Sequence, residues 1–159
     1  MILYHGSNVE VKEPILLKVQ RELDFGKGFY TTSDLEQAAR WAERTAKRRG
    51  ESNAFVTVYE VNEDELKNIR LLSFDSPNVE WLNLVVKNRK GEYITGDWDI
   101  ISGPVADDQT AQVIDLYLEG AYDEEEAIRR FLTQRLKDQY AFKTDEALKL
   151  LIFKEVITL

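Results

Sequence analysis

Strand-like segments stand at both ends of this chain and helical patterns crowd between them, and that order constrains the fold more than any other feature. Ile2 to His5 is short, apolar and β-prone, and Gly6-Ser7-Asn8 is expected to stop it. Phe153 to Ile157 reads as the last strand. Between them, Phe29 to Thr31, Phe55 to Val61, Trp98 to Ser102 (ended by Gly103-Pro104) and Gln139 to Lys143 read as further strands. Within the second of these, Phe55, Thr57, Tyr59 and Val61 share one side, and Val56, Val58 and Glu60 the other. Helical patterns cover a segment capped at Ser33 and running to Arg49, then Pro77 to Lys87, Thr110 to Glu119, Asp123 to Leu136 and Asp145 to Leu150. Helices gathered mainly between terminal strands predict an α+β fold rather than a doubly wound parallel sheet. No repeat, low-complexity tract or Pro/Gly/Ser linker divides the chain, so residues 1–159 are expected to form a single domain. With 43% hydrophobic and 31% charged residues, a chain of this length can bury a core of its own.

The first long helix has the clearest local signals. Ser33-Asp34-Leu35-Glu36 has the spacing of a capping box, with Ser33 and Glu36 satisfying each other's backbone donors. Leu35, Ala38, Ala39, Ala42 and Ala46 fall on one broad apolar face, and Gly50 is the stop. Lys47, Arg48 and Arg49 form a local basic patch able to contact phosphate, but a helix C-terminus favours cations in any case, and the patch reads first as structural. A formal net charge of -8 argues against binding nucleic acid through the general field. Asp123-Glu124-Glu125-Glu126 opens a helix, where negative charge is favoured and solvated. On the Pro77–Lys87 helix, Trp81, Leu84 and Val85 make the expected buried face.

The chemistry available is limited by what is absent from the composition. Without cysteine there is no disulfide framework and no thiolate ligand or nucleophile, and His5 is the one imidazole. At a strand end before Gly6 it can project into a cleft. Gly26 and Gly28 permit close backbone approach, yet Gly-Lys-Gly is not a phosphate loop, since neither the Lys-Ser/Thr order nor the following helix is present. Tyr30 reads equally as a half-buried strand aromatic, and Trp41 as core. The N-terminal MILYHGSNVEVKEP lacks a basic segment followed by a long apolar run, and no stretch approaches a transmembrane span. The expectation is a cytoplasmic protein with no membrane partner.

The joint order of motifs carries more. LYHGS (Leu3 to Ser7) followed by FGKGFYTTSDLEQAARWA (Phe25 to Ala42) resembles the poly(ADP-ribose) polymerase and diphtheria-toxin-like branch of the ADP-ribosyltransferases. That family places histidine-glycine-serine at the end of its first strand, then a glycine-lysine-glycine turn into a tyrosine strand, then a helix bearing a second aromatic. The second aromatic here is Trp41, eleven residues after Tyr30. The serine usual three residues before it is Ala38. At the other end, Lys137-Asp138-Gln139-Tyr140-Ala141-Phe142 and Glu146 to Leu151 resemble the family's last motif, with Gln139 where glutamate is usual. LYHGS, DFGKGFYTT, the GPVADD stretch from Gly103 to Asp108 and QYAF also resemble a small bacterial domain family of uncharacterised function, related to these transferases.

The resemblance implies a split-sheet ADP-ribosyltransferase-like core flanked by helices. It implies NAD as co-substrate, no metal, and cleavage of the nicotinamide–ribose bond with transfer of one ADP-ribose to a macromolecular acceptor, protein or nucleic acid. It assigns His5, Tyr30 and Gln139 to catalysis, and His5, Gly6, Ser7, Gly28, Tyr30 and Trp41 to binding. Because an amide carries no charge, Gln139 stabilises an oxocarbenium less than a carboxylate would and cannot act as a base. Asp107 and Asp108, after the Gly-Pro turn, are candidates to assist, or an exposed pair at a helix N-terminus. The implied role is an intracellular bacterial toxin or regulator, in the former case with a neutralising partner protein. The alternatives are a weakened module that binds NAD or ADP-ribose, and an NAD glycohydrolase.

Overall fold

The computed structural model describes residues 1–18, 23–92, 97–106 and 108–159. The order of elements is β1 (Ile2–Ser7), β2 (Phe29–Thr31), α1 (Leu35–Arg49), β3 (Phe55–Glu60), a 3-10 turn (Glu65–Asn68), β4 (Leu71–Ser73), α2 (Val79–Arg89), β5 (Ile100–Pro104), α3 (Asp108–Leu118), α4 (Glu124–Leu132), β6 (Asp138–Phe142), α5 (Asp145–Leu148) and β7 (Ile152–Thr158). This is a mixed α+β fold, as expected from the sequence.

The strands make two sheets, in the orders β1-β3-β7 and β2-β6-β5-β4. All pairings are antiparallel except β4 with β5. The sheets meet at a bridge in which the Tyr4 and Thr32 backbones exchange hydrogen bonds of 2.8 and 3.0 Å. One core cluster, built on Leu3, Phe29, Tyr59, Ile100 and Phe142, draws on strands of both sheets. Another lies under the helices, where Trp81 meets Phe131 edge-on at 5.2 Å and donates its indole N–H to the Pro104 carbonyl at 2.9 Å. Trp81, Leu84 and Val85 are all buried, as the α2 pattern predicts.

Several boundaries differ from the sequence reading for identifiable reasons. β1 runs through Gly6 and Ser7, which pair with Val56 and Phe55 and so do not stop it. Gly103 and Pro104 are not a terminator either, since they pair with Gln139 and Asp138. The cap of α1 is Asp34, which accepts from the Gln37 N–H at 2.7 Å, because Ser33 is engaged elsewhere: its N–H and Oγ both donate to Asp138, at 2.8 and 2.5 Å. Leu35 is exposed, and Gln37 takes a buried position that the apolar-face reading does not assign. Gly50, at φ 70°, stops the helix as expected.

The contact that fixes α1 is unusually close. A Cβ at Gly6 would sit 1.9 Å from the Ala38 carbonyl oxygen and 2.7 Å from the Ala42 nitrogen. Ala38, Ala42 and Ala46, one row along α1, are buried. We expect Gly6→Ala to force β1 and α1 apart and cost roughly 1–3 kcal/mol or more, read as a lowered urea midpoint.

A second tie joins β4, β5 and α5. The Asp99 carboxylate accepts from the Arg70 N–H (2.9 Å), Arg70 Nε and Nη2 (3.1 Å each) and Thr144 Oγ (2.9 Å). The Arg70 side chain above all holds its pKa down at about 2. A carboxyl depressed on folding stabilises above its unfolded pKa of about 4, and that contribution is lost as pH falls toward the folded value. Stability should therefore fall between about pH 4 and pH 2, with a shallower slope over that window in Asp99→Asn.

Candidate active site

A large open cleft of about 1850 Å³ lies where β1, β2, α1 and β6 approach one another. His5, Gly6, Ser7, Gly28, Tyr30, Trp41 and Gln139 all line it. Seven residues spread over most of the chain are thus brought together. Ala38 is not among the lining residues, since it packs against Gly6.

Each of these side chains is held by its neighbours. His5 stacks on Phe29 at 4.2 Å, and its Nδ1 lies 2.7 Å from the Tyr30 carbonyl oxygen. A carbonyl only accepts, so Nδ1 carries the proton and Nε2 is left as an acceptor. Burial lowers the His5 pKa against the opposing pull of that hydrogen bond, which keeps the ring neutral. Tyr30 is buried, with its hydroxyl donating to the Gly26 carbonyl (2.6 Å) and accepting from the Phe25 N–H (3.0 Å). The turn before it needs glycine at Gly26, whose φ is 79°. Lys143 ties the same turn to the end of β6, donating to the Phe25 and Lys27 carbonyls at 2.6 and 2.8 Å.

The roles of two glycines change. The space beside Gly6 is filled by the α1 backbone, and a Cβ at Gly28 would stand 3.0 Å from the Phe142 carbonyl oxygen. Their missing side chains let protein approach protein, although both residues still border the cleft.

Gln139 is 3% exposed, second in β6, and its Nε2 has no hydrogen-bond partner among the described residues. Gln37, equally buried at 3%, is in the same condition: its Oε1 accepts from Arg40 at 3.1 Å, while Nε2 is unpartnered. Two buried amide donors therefore border one cleft with nothing among the described residues to receive them. Such groups are costly unless something in the cleft accepts from them.

Asp24, not singled out by the sequence, is a mostly buried carboxylate in the cleft wall. Arg89 Nε donates to it at 3.2 Å. Burial raises its pKa, opposed first by the Arg89 charge and then by the Arg89, Ala106 and Gln139 hydrogen-bonding groups, though Gln139 Nε2 completes no bond to it. Asp107 lies outside the described residues, and of Asp108 only the backbone, opening α3, is described.

The cleft is also strongly cationic. Lys27, Arg40, Arg44, Arg48, Arg49, Arg89, Lys90, Arg135 and Lys137 line it, with Asp24 the one carboxylate among the described lining residues. Gln37, Arg40, Trp41, Arg44, Thr45 and Arg48 form a single face of α1 at helical spacing, opposite the alanine row. That spacing was visible in the sequence. Lys47, Arg48 and Arg49 do end the helix, and the latter two also face the cleft. Chemically, the site offers a hydroxyl acceptor at His5, two aromatic rings, two free amide donors and a field for phosphates.

Residues 1–153 match the model of the family described as "protein of unknown function (DUF3990)", and the chain belongs to that family. No match is found among curated proteins or among solved structures. Among the described residues no helix is long and apolar enough to cross a membrane, and no group of three or more His, Asp or Glu side chains is placed to hold a metal ion.

The Tyr30 hydroxyl anchors the turn as well as the ring. Tyr30→Phe would leave the buried Phe25 N–H and the Gly26 carbonyl without their partner, at a cost of about 1–3 kcal/mol. The change should appear as a lower urea midpoint and faster amide exchange over residues 25–30.

Proposed function

We propose that the cleft binds NAD and that the protein transfers a single ADP-ribose unit from it to a macromolecular acceptor. What carries the reading is the convergence of His5, Tyr30, Trp41 and Gln139 on a cationic cleft with two unpartnered amide donors. The two-sheet arrangement joined at the Tyr4–Thr32 bridge supports the split-sheet core expected of an ADP-ribosyltransferase.

The residues fit the ligand group by group. His5 Nε2 can accept from a ribose hydroxyl. Tyr30 and Trp41 offer faces to a planar, electron-poor ring. The free amide N–H groups of Gln37 and Gln139 can donate to carboxamide or ribose oxygens, and the basic wall suits a pyrophosphate. NAD supplies a ribose already bonded to a cationic leaving group, so the protein's task is to hold both halves and stabilise the positive charge that grows on the sugar.

Gln139 supplies a dipole to that task and Asp24 the charge. The Asp24 carboxylate, raised in pKa by its burial, is the base available on this wall. The acceptor's nucleophilic atom bonds to ribose C1′, the bond to nicotinamide nitrogen breaks with its electron pair, and the acceptor's proton passes to Asp24.

Calorimetry with NAD, together with nicotinamide release in the presence and absence of cell lysate, tests this. Release that needs lysate is expected, release without it would mean hydrolysis, and binding without release would mean a binding module. Trp41→Ala should weaken NAD about tenfold, the worth of one aromatic stack. Asp24 must be ionised to work, so activity should fall with decreasing pH through its raised pKa. Asp24→Asn should lower the rate, remove that limb of the profile and leave NAD affinity within about twofold. Absence of any NAD binding, with His5→Ala altering stability alone, would end the reading.

A further inference from the structure

We infer that the cleft takes a single-stranded nucleic acid along α1, and that this strand is the acceptor. The second clause rests on the reading just given, while the first does not. Nine Lys and Arg residues border this cleft, and even with Arg89, Lys137 and Arg40 engaged by Asp24, Asp34 and Glu36 the wall carries more cations than the two phosphates of a dinucleotide need. Arg40, Arg44 and Arg48 stand four residues apart on α1, so the row rises about 12 Å, longer than one pyrophosphate and suited to successive phosphates of a chain. Arg48 reaches the neutral Thr45 hydroxyl at 3.5 Å, and neither it nor Arg135 forms an ion pair among the described residues. Their charge is available to a ligand.

Trp41 stands within the row, and an indole has two faces, so one that stacks on the NAD ring leaves the other as a platform among arginines for an unpaired base. A duplex keeps its bases stacked inside and offers nothing to such a ring, whereas a single strand can turn bases into a walled cleft. An acidic peptide would satisfy the arginines but not the tryptophan. The formal charge of -8 over the whole chain sharpens the choice, because phosphates repelled elsewhere are confined to this wall.

Fluorescence anisotropy with a labelled twelve-nucleotide RNA, the matching DNA and its duplex, all without NAD, tests the inference. Single strands should bind more tightly than the duplex, with affinity falling about tenfold or more between 50 and 200 mM salt. Preference between the two single strands identifies the sugar. Arg48→Glu/Arg135→Glu should weaken binding at least tenfold, while the charge-matched Lys67→Glu/Lys149→Glu, outside the cleft, should change it less than about twofold. Thermal melts of both variants establish that they are folded. No binding up to about 100 µM strand, a preference for duplex, or equal weakening by both variants overturns the inference. Because NAD is left out, failure here leaves the NAD reading standing, and failure of the NAD reading leaves strand binding measurable.

Discussion

The missing side chain of Gly6 is the constraint on which the rest depends. It lets the α1 backbone lie against β1, which turns the alanine row inward and the Arg40–Trp41–Arg44 face toward the cleft. The start of the same helix is fixed by two carboxylates. Asp34 caps it and accepts from Lys137 Nζ at 2.7 Å, and Asp138 holds Ser33 and, at 3.0 Å, the Thr32 hydroxyl. Gln139 follows Asp138 directly. The wall bearing Trp41 and the strand bearing Gln139 are therefore positioned by one set of contacts between residues about a hundred positions apart.

That separation explains which parts of the molecule were legible in advance. Elements with a strong local pattern were: α1, α2 and the alternation of β3 all lie near their expected places. Capping was misread because the competitor for Ser33 is Asp138, and no spacing within residues 33–36 reveals it. β4 was missed because Leu71–Ser73 is three residues long and becomes a strand only through parallel pairing with β5. The residues named from the order of motifs line one cleft, whereas Asp24 and Gln37 are not named by it, since their burial and neighbours come only from the fold.

Net charge proved a poor guide to local field. The chain is acidic overall, yet many of its acids sit in exposed helix starts and surface pairs, such as Glu126 with Arg129 and Arg130 at 2.8 Å, where solvent screens them. The cations of the cleft share one concave wall, and although Arg89 and Lys137 pair with Asp24 and Asp34, the remaining like charges reinforce one another's potential. A helix-terminal patch and a cleft-facing patch are not alternatives here. Arg48 and Arg49 serve both because α1 ends at the cleft.

Gln139 stands where the transferases that the chain resembles carry glutamate, and an amide there need not empty the site of negative charge. A glutamate at that position, buried in β6 and close to Asp24, would put two like charges together, and one would be driven to take up a proton. An amide avoids that conflict and leaves Asp24 in its ion pair with Arg89. In the proposed transfer, the dipole on β6 and the charge at the mouth of the glycine turn would divide a task that one side chain would otherwise perform. Because Arg89 draws on the same carboxylate, Asp24 would be a weaker base than an unpaired buried acid, which would suit an acceptor that is already a good nucleophile.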